Sequence, residues 1–232
     1  MEHGLAMRIH GVQKLTLLDY PGKVACTFFT PGCNFRCPYC HNAGIVLEPA
    51  AGGTEAADIF AFLQKRKGIL EGVCISGGEP TLQPGLTEFI RSVKGMGFAV
   101  KLDTNGSFPV ILENLISEGL VDYIAMDIKS SPERYARVAG TEVDMEVIRR
   151  SAEILMRGKL PFEFRTTLVK ELHSIHDMEQ IGQWLRGSEK YFLQTFADSG
   201  HLIADGLTAF SPEGMEKMRS ALQAYIPQVE LR

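Results

Sequence analysis

Residues 30–42 read TPGCNFRCPYCHN, and three of the chain's five cysteines fall within this stretch. Cys33, Cys37 and Cys40 have the spacing C-x3-C-x2-C, which is unusual by chance in a chain with so few cysteines. In a reducing compartment, cysteines packed this closely indicate a metal centre rather than a disulfide. The surrounding Gly, Pro and Asn residues are typical of a loop, and a loop can fold three thiolates around one centre.

Two kinds of metal centre remain open at this point. Zinc would need a fourth ligand, and His41 is the nearest candidate, but it directly follows Cys40, which makes joint tetrahedral ligation awkward. An iron–sulfur cluster normally takes four cysteines, so three would leave one iron open, and an open metal position is where substrate chemistry takes place. The sequence favours the cluster, because no second group of cysteines follows downstream. Cys26 and Cys74 lie in apolar runs and are predicted to be buried thiols.

The composition is that of an ordinary globular chain. It has 232 residues, 45% of them hydrophobic, and 24 basic against 28 acidic residues give a net charge of −4. This balance argues against a nucleic-acid partner, and the apolar runs are shorter than the roughly 20 residues that span a bilayer. The first ten residues show no secretory signal pattern, so we expect a cytoplasmic protein without a membrane partner. We expect a single domain over residues 1–232, with a core at about 15–210.

Short apolar runs alternate with helical patterns along the chain. Between the runs, apolar residues recur at helical offsets, as they do at Leu86, Phe89, Ile90 and Val93. Six strand–helix units of this kind predict an α/β fold with a parallel sheet, and residues 7–18 can add an outer strand. The six predicted strands are Val24–Phe29, Val73–Ser76, Ala99–Thr104, Tyr123–Asp127, Phe162–Thr167 and Tyr191–Phe196.

Polar residues follow the predicted strands at their carboxyl ends, where parallel α/β folds collect their chemistry. The cysteine loop follows the first of these strands. We expect the polar groups at the next four strand ends to face the same mouth as this loop. They are Gly77, Gly78 and Glu79 at the second strand, Asp103 and Thr104 at the third, Asp127 and Lys129 at the fourth, and Arg165 at the fifth.

The cysteine motif, with Tyr39 before its last cysteine and Gly77-Gly78-Glu79 further on, resembles the signature of the radical S-adenosylmethionine (SAM) superfamily. The segment LTLLDYPGK at residues 15–23 narrows the resemblance to the glycyl-radical-enzyme activases. Among these activases, the chain is most similar to the anaerobic ribonucleoside-triphosphate reductase activating proteins, and the pyruvate formate-lyase activating enzymes are the next neighbours. The resemblance implies a partial (β/α)6 TIM barrel.

The resemblance also implies the chemistry. A 4Fe–4S cluster on Cys33, Cys37 and Cys40 would leave one iron for the amine and carboxylate of SAM. Cleavage of SAM would give a 5′-deoxyadenosyl radical, which abstracts a hydrogen atom from a glycine of a glycyl radical enzyme, here anaerobic ribonucleotide reductase. The electron would come from a flavodoxin or a ferredoxin.

The resemblance further assigns the remaining polar residues to SAM. Tyr39 would pack by the adenine, the Gly77-Gly78-Glu79 run would meet the methionyl ammonium, and the carboxylates Asp103 and Asp127 would bind polar groups or share a monovalent cation. Lys129 and Arg165 would pair with the cofactor carboxylate or ribose, while His41 and Asn42 would hydrogen-bond around the ligand loop. The implied cofactor-binding set is Tyr39, Gly77, Gly78, Glu79, Asp103, Thr104, Asp127, Lys129 and Arg165.

Three other functions stay open on the sequence alone. The first is a pyruvate formate-lyase-type activase. The second is a small-molecule radical SAM enzyme, such as a 7-carboxy-7-deazaguanine synthase, although the sequence offers no clear aromatic cage for a pterin-like ring. The third is a zinc-stabilised interaction protein without catalytic activity, which would be colourless where a cluster protein is brown.

Overall fold

The computed structural model describes residues 7–48, 53–198 and 200–232. The chain divides into two compact units, which are described separately. The first unit takes in the described residues of 1–34, 44–104 and 110–124, and the second takes in those of 35–43, 105–109 and 125–232. The expectation of a single domain over the whole chain stays a prediction.

The first unit begins with a hairpin and continues with alternating strands and helices. Its strands follow one another in chain order, with β1 antiparallel to β2 and the pairs β2–β3 and β3–β4 parallel. The elements are β1 (Gly11–Thr16), β2 (Ala25–Thr30), α1 (Ala43–Leu47), α2 (Ala56–Lys65), β3 (Gly72–Gly77), a 3-10 turn (Pro80–Leu82), α3 (Leu86–Gly95), β4 (Ala99–Thr104) and α4 (Pro109–Ser117).

The division between the units falls within β5 (Tyr123–Asp127). In the second unit the strands again follow chain order, and both pairs, β6–β7 and β7–β8, are parallel. Its further elements are α5 (Tyr135–Ala139), α6 (Met145–Arg157), β6 (Phe162–Leu168), α7 (Ile175–Trp184), β7 (Lys190–Thr195), α8 (Pro212–Gln223) and β8 (Gln228–Leu231).

Apolar periodicity explains how the first unit packs. The predicted stripe of α3, made of Leu86, Phe89, Ile90 and Val93, is buried as a whole. The Phe89 ring meets the ring of Phe28 from β2 edge to face, with centroids 6.1 Å apart. Each such side chain stabilises the fold by about 1.5–3 kcal/mol through its burial. Both faces of strand β3 are covered, since the consecutive residues Val73, Cys74 and Ile75 are all fully buried. This is expected for a central parallel strand.

The segment LTLLDYPGK closes the first hairpin. The Thr16 hydroxyl accepts the backbone N–H groups of Leu18 and Asp19 at 3.2 and 3.1 Å. The Asp19 carboxylate then accepts the hydroxyl of Thr27 on β2 at 2.5 Å. Tyr20 is buried against Gly72, where a Cβ atom would lie 2.9 Å from its ring. This part of the motif therefore has a structural use in holding β1 to β2 and β3.

The predicted strands are all present. Two of them, β4 and β5, have the predicted bounds, and the outer strand within residues 7–18 is β1. The sequence patterns did not identify β8, α1, α5 or α6. No helix in the described part of the chain is long and apolar enough to cross a membrane.

Candidate active site

The end of β3 lies directly on the backbone that leads into the first cysteine. Gly78 donates its N–H to the carbonyl of Thr30 at 2.9 Å, and Glu79 donates to Gly32 at 2.8 Å. Gly77 has a φ of +113°, a conformation that side chains rarely adopt. A Cβ atom on Gly78 would overlap with the carbonyl oxygen of Gly32. The two glycines are therefore required for this close approach to Thr30 and to Gly32, the residue directly before Cys33.

Glu79 presents a fixed carboxylate beside these glycines. It is only 1% exposed. Its Oε1 atom accepts the backbone N–H of Thr81 at 3.1 Å, the hydroxyl of Thr81, and the hydroxyl of Thr104 at 2.8 Å. The carboxylate thereby caps the 3-10 turn that follows β3. The structure thus brings the predicted residues Glu79 and Thr104 together, and the Thr104 hydroxyl donates a hydrogen bond to the Glu79 carboxylate.

Asp103, at the end of β4, is held by two neighbours within the first unit. The Ser76 hydroxyl donates to Oδ2 at 2.9 Å, and the Lys101 ammonium forms an ion pair with Oδ1. Lys101 is 1% exposed, and its Nζ lies 3.9 Å from the Sγ atom of Cys74. The sequence analysis did not single out Lys101. The available signal was a lysine inside an otherwise apolar strand, two residues before a predicted site carboxylate.

The backbone of the cysteine loop in the second unit is fixed by two long-range bonds. Arg36 donates its N–H to the carbonyl of Ala139 at 2.8 Å, and Ala204 donates to the carbonyl of Pro38 at 3.0 Å. Gly140 ends α5 in the left-handed conformation, and a Cβ atom there would overlap with the carbonyl oxygen of Arg36. The loop therefore has a defined shape that does not depend on its cysteine side chains.

The cysteines in both units carry thiols and form no disulfide bonds among the described residues. Cys33 belongs to the first unit, while Cys37 and Cys40 belong to the second, where Cys40 donates its N–H to Cys37 at 3.0 Å. Cys26 and Cys74 are fully buried, as predicted, and burial raises the pKa of Cys26 to about 12. Such a thiol stays protonated and behaves as a small apolar side chain.

The surroundings of Cys40 include groups that would stabilise an iron-bound thiolate. Burial, with a smaller contribution from Asp127, raises the pKa of this thiol, whereas the backbone N–H of Asn42 and the cations Lys129 and Arg36 act in the opposite direction. A thiolate that binds iron is an anion, so the hydrogen bond and both cations favour it. Among the described residues, no three His, Cys, Asp or Glu side chains are arranged to hold a single metal ion. In a 4Fe–4S cluster each cysteine instead binds an iron of its own.

Asp127, Lys129 and Arg165 form one ionic group in the second unit. Arg165 donates Nε to Asp127 Oδ1, and the Lys129 Nζ lies 3.1 Å from Oδ2. Burial alone would raise the pKa of Asp127, but Arg165 and Lys129 outweigh it and hold this pKa well below its usual range. Burial would lower the pKa of Lys129, but Asp127 outweighs it and raises this pKa. All three groups are therefore charged at neutral pH.

Tyr39 is buried, and its ring meets the ring of His173 edge to face, with centroids 6.4 Å apart. His173 is a further residue that the sequence analysis missed. It lies in the irregular segment after β6, where no periodicity distinguishes it. Its Nε2 lies 2.8 Å from the carbonyl oxygen of Lys129. This histidine therefore contacts two residues of the predicted set at once.

His41 and Asn42 differ in what they touch. His41 is exposed and stacks on Phe196 with centroids 5.8 Å apart, and partial burial of its ring lowers its pKa. Asn42 hydrogen-bonds the thiol of Cys40 through its backbone N–H. A hydrogen-bonding role near the ligand loop thus has geometric support for Asn42, whereas the ring contact of His41 is a stacking contact.

Known proteins resemble this chain in both sequence and structure. The family model described as the radical SAM superfamily matches residues 27–185, which is well over half of the chain. An inferred glycyl-radical enzyme activating enzyme of Methanocaldococcus jannaschii is 35% identical over 195 residues, 81% of this chain and 79% of that relative. The pyruvate formate-lyase-activating enzyme of Clostridium pasteurianum is 34% identical over 129 residues, 53% of this chain and 52% of that relative. The chain thus spans about half the length of this second relative.

Solved structures share the fold of this chain. The crystal structure of Streptococcus suis SuiB bound to S-adenosylmethionine matches with a TM-score of 0.67 at 11% identity, over 89% of this chain and 51% of SuiB. At this identity the match shows the fold alone, and it confirms the predicted α/β class with a parallel sheet, in which radical SAM enzymes have a partial TIM-barrel architecture. The chain belongs to the radical SAM superfamily, among the glycyl-radical enzyme activating enzymes, and its cofactors are those of that superfamily, a 4Fe–4S cluster and S-adenosylmethionine.

Proposed function

We propose that the chain installs a glycyl radical on a partner enzyme. The observation that carries this proposal is the 35% identity to the M. jannaschii activating enzyme over about four-fifths of each chain. When bound, the reduced cluster supplies one electron that splits SAM into methionine and a 5′-deoxyadenosyl radical, which takes a hydrogen atom from the partner's glycine. The protein's own part is to hold these groups and to orient them.

Cys33, Cys37 and Cys40 are the proposed iron ligands. Three thiolates leave the fourth iron open to the amine and carboxylate of SAM. The hydrogen bond from Asn42 and the positive charge of Lys129 near Cys40 support this assignment, because both stabilise a thiolate. The fixed backbone of the loop also supports it, since ligands that are held in place lose little conformational freedom on binding.

In the first unit, Glu79 is the proposed partner of the methionyl ammonium. Its charge is buried and held in place by Thr81 and Thr104, which makes it a preorganised anion. Gly77 and Gly78 act through the backbone by keeping the end of β3 close to the chain before Cys33. Thr104 is thus a positioning residue for Glu79, and Asp103 is assigned to the polar groups of the cofactor.

In the second unit, Lys129 and Arg165 are the proposed partners of the cofactor carboxylate or the ribose hydroxyls. Asp127 holds both cations in position through its two oxygens. Tyr39 is assigned to the adenine, whose face its ring can pack against. Because both cations are already oriented, a bound anionic group would meet them without rearrangement of their side chains.

The proposed partner enzyme is an anaerobic ribonucleoside-triphosphate reductase. The resemblance of the LTLLDYPGK segment to the activating proteins of that reductase supports the choice, and pyruvate formate-lyase is the second candidate. A flavodoxin or ferredoxin in the cytoplasm is the proposed electron donor, because the cluster must be reduced near the negative end of the range open to such centres.

One experiment tests the whole proposal. The protein is reconstituted anaerobically with iron and sulfide, reduced, and mixed with SAM in the presence and absence of the reductase. EPR spectra and the amount of 5′-deoxyadenosine are then recorded. A glycyl radical on the reductase together with 5′-deoxyadenosine supports the proposal, and the same mixture with Cys33→Ala is the control.

The other outcomes separate the parts of the proposal. Cleavage of SAM without a glycyl signal on the reductase contradicts the choice of partner, and pyruvate formate-lyase is then tested in its place. Absence of SAM cleavage by a protein that holds a reducible cluster contradicts the proposed activity.

A further inference from the structure

Lys101 is a buried cation inside the sheet of the first unit. In the strand AVKLDT it lies directly opposite Cys74, its register partner in β3, and two residues before Asp103. Its side chain is 2% exposed, and its ammonium is paired with Asp103. A buried ammonium is retained only where an opposite charge compensates it, so Lys101 and Asp103 depend on each other.

Asp103 and Asp127, the two carboxylates that the resemblance assigns to a cation, each have a counter-charge from the chain itself. In the first unit Asp103 has the ammonium of Lys101, and in the second unit Asp127 has Arg165 and Lys129. A monovalent cation at either carboxylate would lie beside a positive side chain that already contacts the same carboxylate, and two positive charges this close repel each other. The residues present therefore do not fit the monovalent cation that the resemblance to other activases implies.

We infer that the Lys101 ammonium is the built-in cation of Asp103, so that SAM binding by this protein needs no added monovalent cation. This inference rests on the proposed assignment of Asp103 to the SAM site. A tethered ammonium is delivered to Asp103 by the fold itself, whereas a free cation must be taken up from solution. It also carries three donors, which can hold Asp103 in one orientation toward a ligand.

The first test uses the wild-type protein with its cluster reconstituted. The dissociation constant of SAM is measured by equilibrium dialysis in choline chloride, sodium chloride and potassium chloride at equal ionic strength. We expect the three values to agree within about twofold. A gain of tenfold or more in sodium or potassium over choline would overturn the inference.

The second test removes the ammonium but keeps the length of the side chain. In choline chloride, Lys101→Met is expected to weaken SAM binding by about tenfold or more and to lower the thermal midpoint. Potassium or sodium should then restore part of the SAM affinity and part of the thermal midpoint, because a free cation can occupy the vacated position beside Asp103. A variant that responds equally to choline and potassium would contradict the inference.

Two further variants serve as controls that separate a specific cation effect from general destabilisation of the fold. Lys94→Met removes the lysine of a more exposed ion pair, in which Nζ lies 2.7 Å from Asp122, and it should show no preference between potassium and choline. The double variant Lys101→Met with Asp103→Asn removes both charges and should lose the potassium effect on the thermal midpoint. If Lys101→Met fails to fold, the wild-type comparison still decides the inference.

The readouts also separate this inference from the proposed site. If the wild-type protein binds SAM and Asp103→Asn binds it equally well, the assignment of Asp103 to the SAM site is wrong, and the inference about SAM binding falls with it. If the wild-type protein fails to bind SAM at all, the proposed function fails. A potassium response of the Lys101→Met thermal midpoint would still show that Lys101 is a replaceable cation.

Discussion

Nε2 of His173 lies 2.8 Å from the carbonyl oxygen of Lys129, and this bond joins the segment after β6 to the end of β5. A carbonyl oxygen can only accept, so Nε2 carries the proton of the neutral ring. The other nitrogen, Nδ1, accepts the backbone N–H of Val169 at 3.1 Å. The orientation of the ring that packs against Tyr39 is therefore set by two backbone groups.

The protonation state of His173 should affect stability. Burial lowers its pKa below the usual value of 6.5, although the carbonyls of Lys129 and Val169 act in the opposite direction. The unfolded chain therefore takes up a proton near pH 6.5 while the folded chain does not. The stability that the neutral ring contributes is present above pH 6.5 and is lost as the pH falls through the lower folded pKa.

Thermal midpoints of the cluster-free protein between pH 7.5 and 5.5 test this expectation. The wild-type midpoint should fall more steeply with decreasing pH than that of His173→Gln. Asp177, Arg134, Lys129 and Tyr39 face the ring and are unchanged in both proteins. The exposed His176 provides the control, because His176→Gln should follow the wild-type curve. Parallel curves for wild type and His173→Gln would contradict the assignment.

Glu79→Gln should separate the charge of this residue from its hydrogen bonds. All three bonds from Thr81 and Thr104 end on one oxygen, and an amide oxygen can accept the same three. We therefore expect a loss of at most about 1 kcal/mol in the free energy of unfolding. SAM binding should weaken about tenfold, which corresponds to about 1.4 kcal/mol, because the ammonium loses its anion.

Glu171→Gln is the matched control for Glu79→Gln. Glu171 also accepts the N–H and the hydroxyl of one threonine, Thr208, but it is exposed and outside the proposed site. It should leave the SAM dissociation constant unchanged. An equal affinity of Glu79→Gln and wild type for SAM would show that the carboxylate of Glu79 serves the 3-10 turn only.

Gly78→Ala should damage the site through the backbone. The new methyl group would overlap with the carbonyl of Gly32, so the chain before Cys33 must move. We expect a loss of about 1–3 kcal/mol in stability, as is typical for overpacking, and a lower iron content after reconstitution. Gly95→Ala, at the end of α3, meets no atom within 4 Å and should be neutral or stabilising. Full iron content in Gly78→Ala would contradict the proposed importance of this contact.

The cysteines should divide into two groups when each is replaced by alanine. Loss of Cys33, Cys37 or Cys40 should abolish the visible absorbance of the cluster and the bound iron and sulfide, because too few ligands remain. Cys26→Ala should keep the cluster and cost about 1 kcal/mol of stability, as one buried atom of the fully buried side chain is lost. A reconstituted cluster in any variant of the first group would overturn the ligand assignment.

The strands were the elements of the fold that could best be predicted from the sequence. Residues 99–104 and 123–127 are apolar runs that end on aspartate or threonine, and both became strands with the expected bounds. Helix α6 was missed because Ser151 and Ala152 interrupt the large apolar residues of its buried stripe. Strand β8 has only four residues, of which Val229 alone is buried, so its alternation is too short to identify.

Candidate residues of the site could be predicted from the sequence, but the side chains and backbone groups that they contact could not. Position at strand ends was enough to select Glu79, Asp103 and Asp127. What each carboxylate touches depends on tertiary contacts, such as the pairing of β3 with β4 that brings Ser76 to Asp103. A lysine within a strand usually suggests a solvent-facing position, and only the observed burial of Lys101 shows otherwise.

The backbone hydrogen bonds of the cysteine loop have a consequence for how the iron–sulfur cluster is inserted and replaced. Arg36 is bound by the end of α5, and Pro38 is bound by Ala204, without participation of any thiol. Small zinc domains differ, since they fold only when the metal arrives. Here the two bonds that hold the loop involve no thiol. We therefore expect both bonds to persist when oxygen destroys the cluster, so that the same chain can be refilled with iron and sulfide.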